Sequence, residues 1–368
     1  MSQHVFANDI TLLFRTDISH GFNIPYDSHL YDSTPVSSPQ GDVAIGIPYT
    51  QGQFKPSVWL KTFSQKKGKI IWNGQESEKI SNLGITRSGD VCFAHYDKDF
   101  FLKALIYLKK NGSILEILDL PKSWAFASAV SKNQNFHCSF SVMKLDGSRQ
   151  IITADFLKQN ISTAYSPKPG VSYLFTPSSN FKGNILFKVR YGQKGQVGDE
   201  QPDQLLMFNG NDTVVLLSDK DQNKNSLLYE FSHLVSANSS GDRCFYANSY
   251  QQLFTLNQDQ LLSEVPMPEG QIELFTPDIN NTQHISVRHK IDNKHHISAW
   301  SMKNKNWKKL VSEEQVISGD AGPLTISAIE GPPFAGGLSS SNEFLFIQVR
   351  FKDRLGVNAG SGLIRIRY

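Results

Sequence analysis

The segment Asp219-Lys-Asp-Gln-Asn-Lys-Asn-Ser-Leu-Leu-Tyr-Glu230 carries the most specific chemical spacing in the chain. Oxygen donors at its first, third, fifth and twelfth positions (Asp219, Asp221, Asn223 and Glu230) match an EF-hand-type calcium loop. Against that, the sixth position is Lys224, where the sharp turn needs glycine, and the eighth is Ser226, where an aliphatic residue is usual. Two readings therefore stand: a structural Ca2+ on those four residues, or a solvated polar connection. No other cofactor is expected.

Histidines invite a second chemistry, metal binding or general-base work. His284, His289, His295 and His296 fall close together. Neighbouring residues of a strand point to opposite faces, so His295 and His296 cannot both line one site unless a loop carries them. Arg288, Lys290 and Lys294 make the segment cationic, and an exposed hairpin is expected. His95 and His137 read as hydrogen-bonded sheet residues. The sequence contains no GxSxG elbow, P-loop, HExxH or CxxC pair. The three cysteines, Cys92, Cys138 and Cys244, are too few for a disulfide framework and are expected to be small buried thiols.

The elements that must position these residues follow a repeat. Seven segments begin with Ser, Thr or Asn and reach an anchor three residues later: Gly41, Gly89, Gln134, Gly183, Gly241, Gln283 and Asn342. Successive anchors are 48, 45, 49, 58, 42 and 59 residues apart. A small polar residue followed three positions later by Gly marks a type I turn. An alternating apolar strand follows each anchor, as in Val43, Ile45 and Ile47. Two further short strands and one extended stretch before the next anchor complete each unit. Four-stranded antiparallel units repeated seven times predict an all-β, seven-bladed β-propeller spanning 1–368 as a single domain. The seventh unit lacks a fourth strand, and residues 9–16 (Asp-Ile-Thr-Leu-Leu-Phe-Arg-Thr) resemble the missing one, so the N-terminal strand is expected to complete the last blade.

The 39% hydrophobic content supports a substantial core and excludes wholesale disorder. A formal charge of +3 is too small to argue for nucleic acid or a membrane surface, and no apolar run is long enough to insert in a membrane. The start, MSQHVFANDITLLF, lacks the layout of a signal peptide, which fits a cytoplasmic protein or an exported chain numbered from its mature end.

The turn-strand core resembles the bacterial repeat family with the consensus NxxGxxAF. Asn238-Ser-Ser-Gly-Asp-Arg-Cys-Phe follows its spacing, and Thr86-Arg-Ser-Gly-Asp-Val-Cys-Phe-Ala differs at the Asn position. A proline three residues before the first turn position recurs as Pro35, Pro177 and Pro277. The resemblance implies a propeller and mildly favours a periplasmic, surface or secreted home. It implies no single activity and no catalytic residues.

Propellers bind through the loops that join strand four to the next strand one, and strand two to strand three. Here those loops carry exposed-type aromatics beside charges, and the candidate ligand or partner residues are Asp99, Phe100, Tyr191, Asp199, Glu200 and Arg354. Trp124 and Phe101 are expected to pack beneath their own loops. The leading expectation is a non-enzymatic module that recognises a protein or glycan on this long-loop face, as a monomer or part of a larger assembly. The alternatives are a polysaccharide lyase or glycoside hydrolase using carboxylates such as Asp97, Asp199 or Glu200 at the channel mouth, and a structural surface-adhesion component.

Overall fold

The computed structural model describes residues 9–16, 34–48, 55–130, 132–167, 171–191, 203–219, 235–237, 244–248, 252–256, 262–277, 283–303, 306–319, 322–329 and 338–368. Every regular element among them is a β-strand. The strands fall into separate antiparallel sheets arranged as a β-propeller. Six sheets repeat a four-stranded blade in chain order, starting with Val36–Ser37, Val43–Ile47, Ser57–Lys61 and Lys69–Asn73. In the second, the first strand is split into Lys79–Ile80 and Gly84–Ile85, which both pair with Val91–Tyr96. The remaining sheet has six strands and contains both the first and the last described strand.

Burial explains which segments became inner strands. Second and third strands are sandwiched between neighbouring sheets, so both faces are apolar: Val43–Ile47 and Val91–Tyr96 are almost wholly buried. Fourth strands lie at the rim and are more exposed, as Ile114–Ile117 and Asn160–Tyr165 are. Between the second and third sheets Leu105, Tyr107, Ala127, Phe140 and Ile152 are fully buried. Each large apolar side chain so removed from water contributes roughly 1.5–3 kcal/mol.

The anchor turns form as the sequence pattern requires. Gly41, Gly89 and Gly183 donate their N–H groups back to Ser38, Thr86 and Asn180 carbonyls at 3.1, 2.9 and 3.0 Å, each with φ near +90°. At Gly89 a second demand applies, because a Cβ there would overlap the Asp42 carboxylate of the preceding sheet. The residue after the anchor braces the turn. Asp90 Oδ2 accepts hydrogen bonds from the Ser88 and Tyr107 hydroxyls, both at 2.8 Å, and Oδ1 accepts the Lys110 N–H at 3.0 Å. Asp42 does the same for the first sheet, accepting the Phe63 N–H at 2.9 Å.

Turns of neighbouring sheets are stitched to one another. Arg87 N donates to Asn133 O at 3.1 Å, Asn133 N to Ile85 O at 2.7 Å, and Ser88 N to Asn135 Oδ1 at 2.9 Å. The Gln134 side-chain amide donates to Lys182 O in the next turn. The last sheet meets the first in the same way: Ser37 Oγ donates to Ser340 O at 2.8 Å, and Asn342 N to Pro39 O at 3.3 Å.

The expected closure is present. Ile10–Arg15 pairs antiparallel with Asn358–Arg367, running from Ile10 opposite Ile366 to Arg15 opposite Gly362. Phe14 is fully buried and meets Trp59 of the first sheet edge-on, with ring centroids 4.6 Å apart.

One expectation is corrected here. Cys92 and Cys138 are not inert thiols; they form a disulfide between the second and third sheets, with Cα atoms 6.5 Å apart and both residues fully buried. Their matching strand positions, read as equivalent core sites, also place them face to face across one seam. The side chain of Cys244 lies outside the described residues.

Candidate functional site

The hairpin that carries Asp99 and Phe100 is braced from within. Asp97 Oδ1 accepts the N–H groups of Asp99 and Phe101, both at 2.9 Å, and Phe100 takes φ +65°. The brace turns Phe100 and Phe101 outward, 59% and 70% exposed, so Phe101 does not pack beneath its loop; Trp124 is buried as expected. The Lys79 ammonium sits 2.9 Å from the Phe100 ring centroid. Arg354 occupies a hairpin of the last sheet built the same way, in which Asp353 Oδ1 accepts the Leu355 and Val357 N–H groups at 2.8 and 2.9 Å. Arg354 and Phe100 thus stand on separate hairpin tips of different sheets, and no contact between them is present.

Of the other nominated residues, Tyr191 ends the strand Ile185–Tyr191 with its backbone opposite Val171, and its side chain is outside the described residues. Asp199 and Glu200 are outside them altogether, as are Asp221, Asn223 and Glu230. Asp219 ends the strand Thr213–Asp219, its backbone opposite Asp203. Among the described residues no group of three or more His, Cys, Asp or Glu side chains is placed to hold a metal ion.

Behind the Phe100 hairpin lies a buried carboxylate beside an imidazole. Glu78 Oε2 is 3.0 Å from His95 Nε2 and accepts the Gln75 N–H at 2.7 Å, while Oε1 accepts from Lys103 Nζ at 3.0 Å. The His95–Glu78 approach is close enough for an ion pair without hydrogen-bond alignment. Burial raises the Glu78 pKa, but the hydrogen bonds from Gln75 and Lys103 and the nearby His95 ring outweigh it and hold the carboxyl below its ordinary value. The Trp72 ring closes over His95 at 5.4 Å between centroids. With every oxygen engaged, this pair positions the hairpin.

A cavity among the described residues lies elsewhere, on the sixth sheet. The crossover 266–270 and the hairpin that joins Gln283–Ile291 to Lys294–Lys303 form its rim, and the outer strands form its wall. It has a volume of about 770 Å³ and is lined by Glu269, His289, His295, Trp300, Trp307 and Lys309 among others. Trp300 faces Lys309 across the Lys294–Lys303 and Asn306–Ser312 pair, and Met302 faces Trp307, so both indoles project from one face. Their polar edges are engaged: Trp300 Nε1 donates to Ser298 Oγ at 2.7 Å, and Trp307 Nε1 donates to Pro266 O at 2.5 Å. Lys309 Nζ is 5.3 Å from the Trp300 ring centroid. His289 Nε2 lies 3.3 Å from Ser298 Oγ. Burial, then the charges of Lys309 and His296, lower its pKa, only partly opposed by Glu313 and Glu269.

The exposed-hairpin reading of this histidine cluster is therefore incomplete. The hairpin exists, with His289 opposite His296 and Lys290 opposite His295, but its edge is the cavity rim. The sequence signal that could have found the site is Trp300 and Trp307, which fall on either side of a short turn and must share a sheet face.

No protein-family model matches the sequence, and no curated protein matches it either. Solved structures do resemble the fold. An oligogalacturonate lyase in complex with manganese aligns over 97% of this chain and 92% of its own, with TM-score 0.60 and 9% identity. The oligogalacturonate lyase from Vibrio parahaemolyticus aligns over 98% of both chains, with TM-score 0.57 and 11% identity. The β-propeller domain of the Trilobed protease from Pyrococcus furiosus aligns over 92% of this chain and 95% of its own, with TM-score 0.60 and 7% identity. At these identities the likeness is one of fold.

Proposed function

We propose that the chain is a seven-bladed β-propeller, with the six-stranded sheet as its seventh blade and with repeats of the NxxGxxAF type, and that it binds a saccharide on its long-loop face. The observation that carries this reading is the cavity beside the sixth sheet, where two indoles with engaged N–H groups leave apolar carbon surface for a ligand. Fixed aromatic rings suit the C–H faces of sugars, since stacking needs apolar area without further ordering cost. A cavity of about 770 Å³ falls in the range that takes small ligands. The test is titration of the full chain with a panel of plant and bacterial oligosaccharides, read by tryptophan fluorescence. Saturable quenching that Trp300→Ala abolishes supports the reading, and a flat response across the panel overturns it.

The second reading is catalysis on a polysaccharide by the same scaffold. It is favoured by the two structurally similar oligogalacturonate lyases. Incubation with polygalacturonate and measurement of unsaturated products by ultraviolet absorbance tests it, with product formation as the supporting result. The Cys92–Cys138 disulfide supports a home in an oxidising compartment, since such bonds persist there.

A further inference from the structure

Two cations face the seam where the last sheet meets the first. Cross-strand partners share a sheet face; Arg365 lies opposite Phe346 and Thr11, and Lys61 opposite Val43. Phe346 and Val43 belong to one buried cluster with Phe14 and Trp59, so both cations point into this seam, at its anchor-turn end. Lys61 is only 7% exposed, and its ammonium makes a single long hydrogen bond, to Thr62 O at 3.4 Å. The Arg365 guanidinium lies over the Phe344 ring, 4.6 Å from its centroid, an arrangement that leaves its N–H donors open. Phe63 stands beside Phe344, with ring centroids 6.2 Å apart. The carboxylates around the seam are committed or remote. Asp42 holds Lys110 Nζ at 3.3 Å and the Phe63 N–H at 2.9 Å, and Glu343 pairs with the exposed Arg367 at 3.3 Å. Asp9, exposed at the start of the closing strand, makes no ion pair with either cation. Burial, then the charge of Arg365, lowers the Lys61 pKa, only partly opposed by Asp42, and burial lowers that of Arg365. Two like charges withdrawn from water without a counter-charge are costly, and an anion between them relieves both the desolvation and the repulsion.

We infer that the closing seam binds a small oxyanion, held between the Lys61 ammonium and the Arg365 guanidinium, which clasps the first sheet to the last. The planar guanidinium offers two parallel donors to an oxyanion and the ammonium adds a third from the facing sheet. Phosphate, sulfate and carboxylate share this chemistry, and the probes separate them. The site stands apart from the sixth-sheet cavity and does not depend on the saccharide reading.

Inorganic phosphate, sulfate and acetate are titrated into the full chain by calorimetry, in chloride buffer of matched ionic strength. The expected result is saturable binding of at least one probe at millimolar concentration or below, and the tightest of the three identifies the kind of oxyanion. Lys61→Met and Arg365→Gln are each expected to weaken that binding about tenfold or more, and Arg365→Lys to retain part of it. Thermal melts give a second readout. In chloride alone Lys61→Met should melt no lower than the parent, because it removes one of two facing like charges. Adding the bound probe should then raise the parent's midpoint more than the variant's, since a ligand stabilises the state that binds it. Circular dichroism confirms that each variant folds, and Arg365→Gln, at the more exposed of the two positions, carries the test should Lys61→Met fail to fold. Absence of saturable binding by all three probes overturns the inference. Binding untouched by both Lys61→Met and Arg365→Gln, or an equal rise in midpoint for parent and variants, overturns it too, since either marks a general salt effect or another site.

Discussion

The imidazole of His284 lies against the ring of Tyr368, the C-terminal residue, with centroids 4.3 Å apart. His284 is fully buried, and neither ring nitrogen has a hydrogen-bond partner. Burial, and secondarily the charge of Lys132, push its pKa down to about 3. The folded state therefore holds the neutral form, while the unfolded chain protonates at the ordinary value of 6.5. Stability from this site is complete above pH 6.5 and is lost as pH falls from there toward 3, by about 1.4 kcal/mol per pH unit at most. His284→Phe keeps the ring and removes the titration. Denaturant melts from pH 7 to 4 should show a shallower loss of stability for the variant than for the parent chain.

The disulfide gives a second expectation. Cys92 and Cys138 are 46 residues apart, and closing a loop of that length in the unfolded chain stabilises the fold by up to about 4 kcal/mol on the chain-entropy model. The double variant Cys92→Ala, Cys138→Ala should melt several degrees lower than the oxidised protein and match it in strand content. Thiol titration of the denatured, unreduced chain should find one free group, from Cys244.

Deleting residues 1–16 removes Phe14 from beneath Trp59 and leaves the edge of Asn358–Arg367 unpaired. The truncated protein should melt lower and aggregate, as exposed strand edges do. Phe14→Ala separates packing from pairing: it should cost about 3–5 kcal/mol while leaving the protein monomeric by sedimentation.

Gly89→Ala should be costlier than Gly112→Ala. Both positions have positive φ, but a Cβ on Gly89 strikes Asp42, whereas a Cβ on Gly112 meets only the Ile71 carbonyl at an ordinary 3.7 Å. Chemical denaturation should show roughly 1 kcal/mol lost at residue 112 and clearly more at residue 89.

The fold was legible because its punctuation is local. Turns such as Ser38–Gly41 and Thr86–Gly89 need particular residues at particular steps, and the strands after them need apolar side chains on both faces. The pairing of Ile10–Arg15 followed by subtraction, since one unit lacked a strand. The site was less legible. Phe100 and Arg354 were correctly placed on loops, but a sequence does not show that Asp97 and Asp353 would spend those loops on bracing themselves. Cys92 and Cys138 match as repeat positions, and only the seam between sheets shows that matched positions can meet. The sixth-sheet cavity was not legible because Trp300 and Lys309 are strand residues, and a strand's sequence pattern does not distinguish a cavity wall from an ordinary rim.

Pairing the first strand with the last also sets a schedule. During synthesis the segment Ile10–Arg15 leaves the ribosome some 350 residues before its partner around Gly362–Ile366. At typical elongation rates that is a wait on the order of 20–70 s. Throughout it Leu12, Leu13 and Phe14 have no sheet to join while the middle blades assemble. The growing chain therefore carries an apolar segment with no sheet to join until that partner emerges, which makes Ile10–Arg15 a natural handle for a holding chaperone.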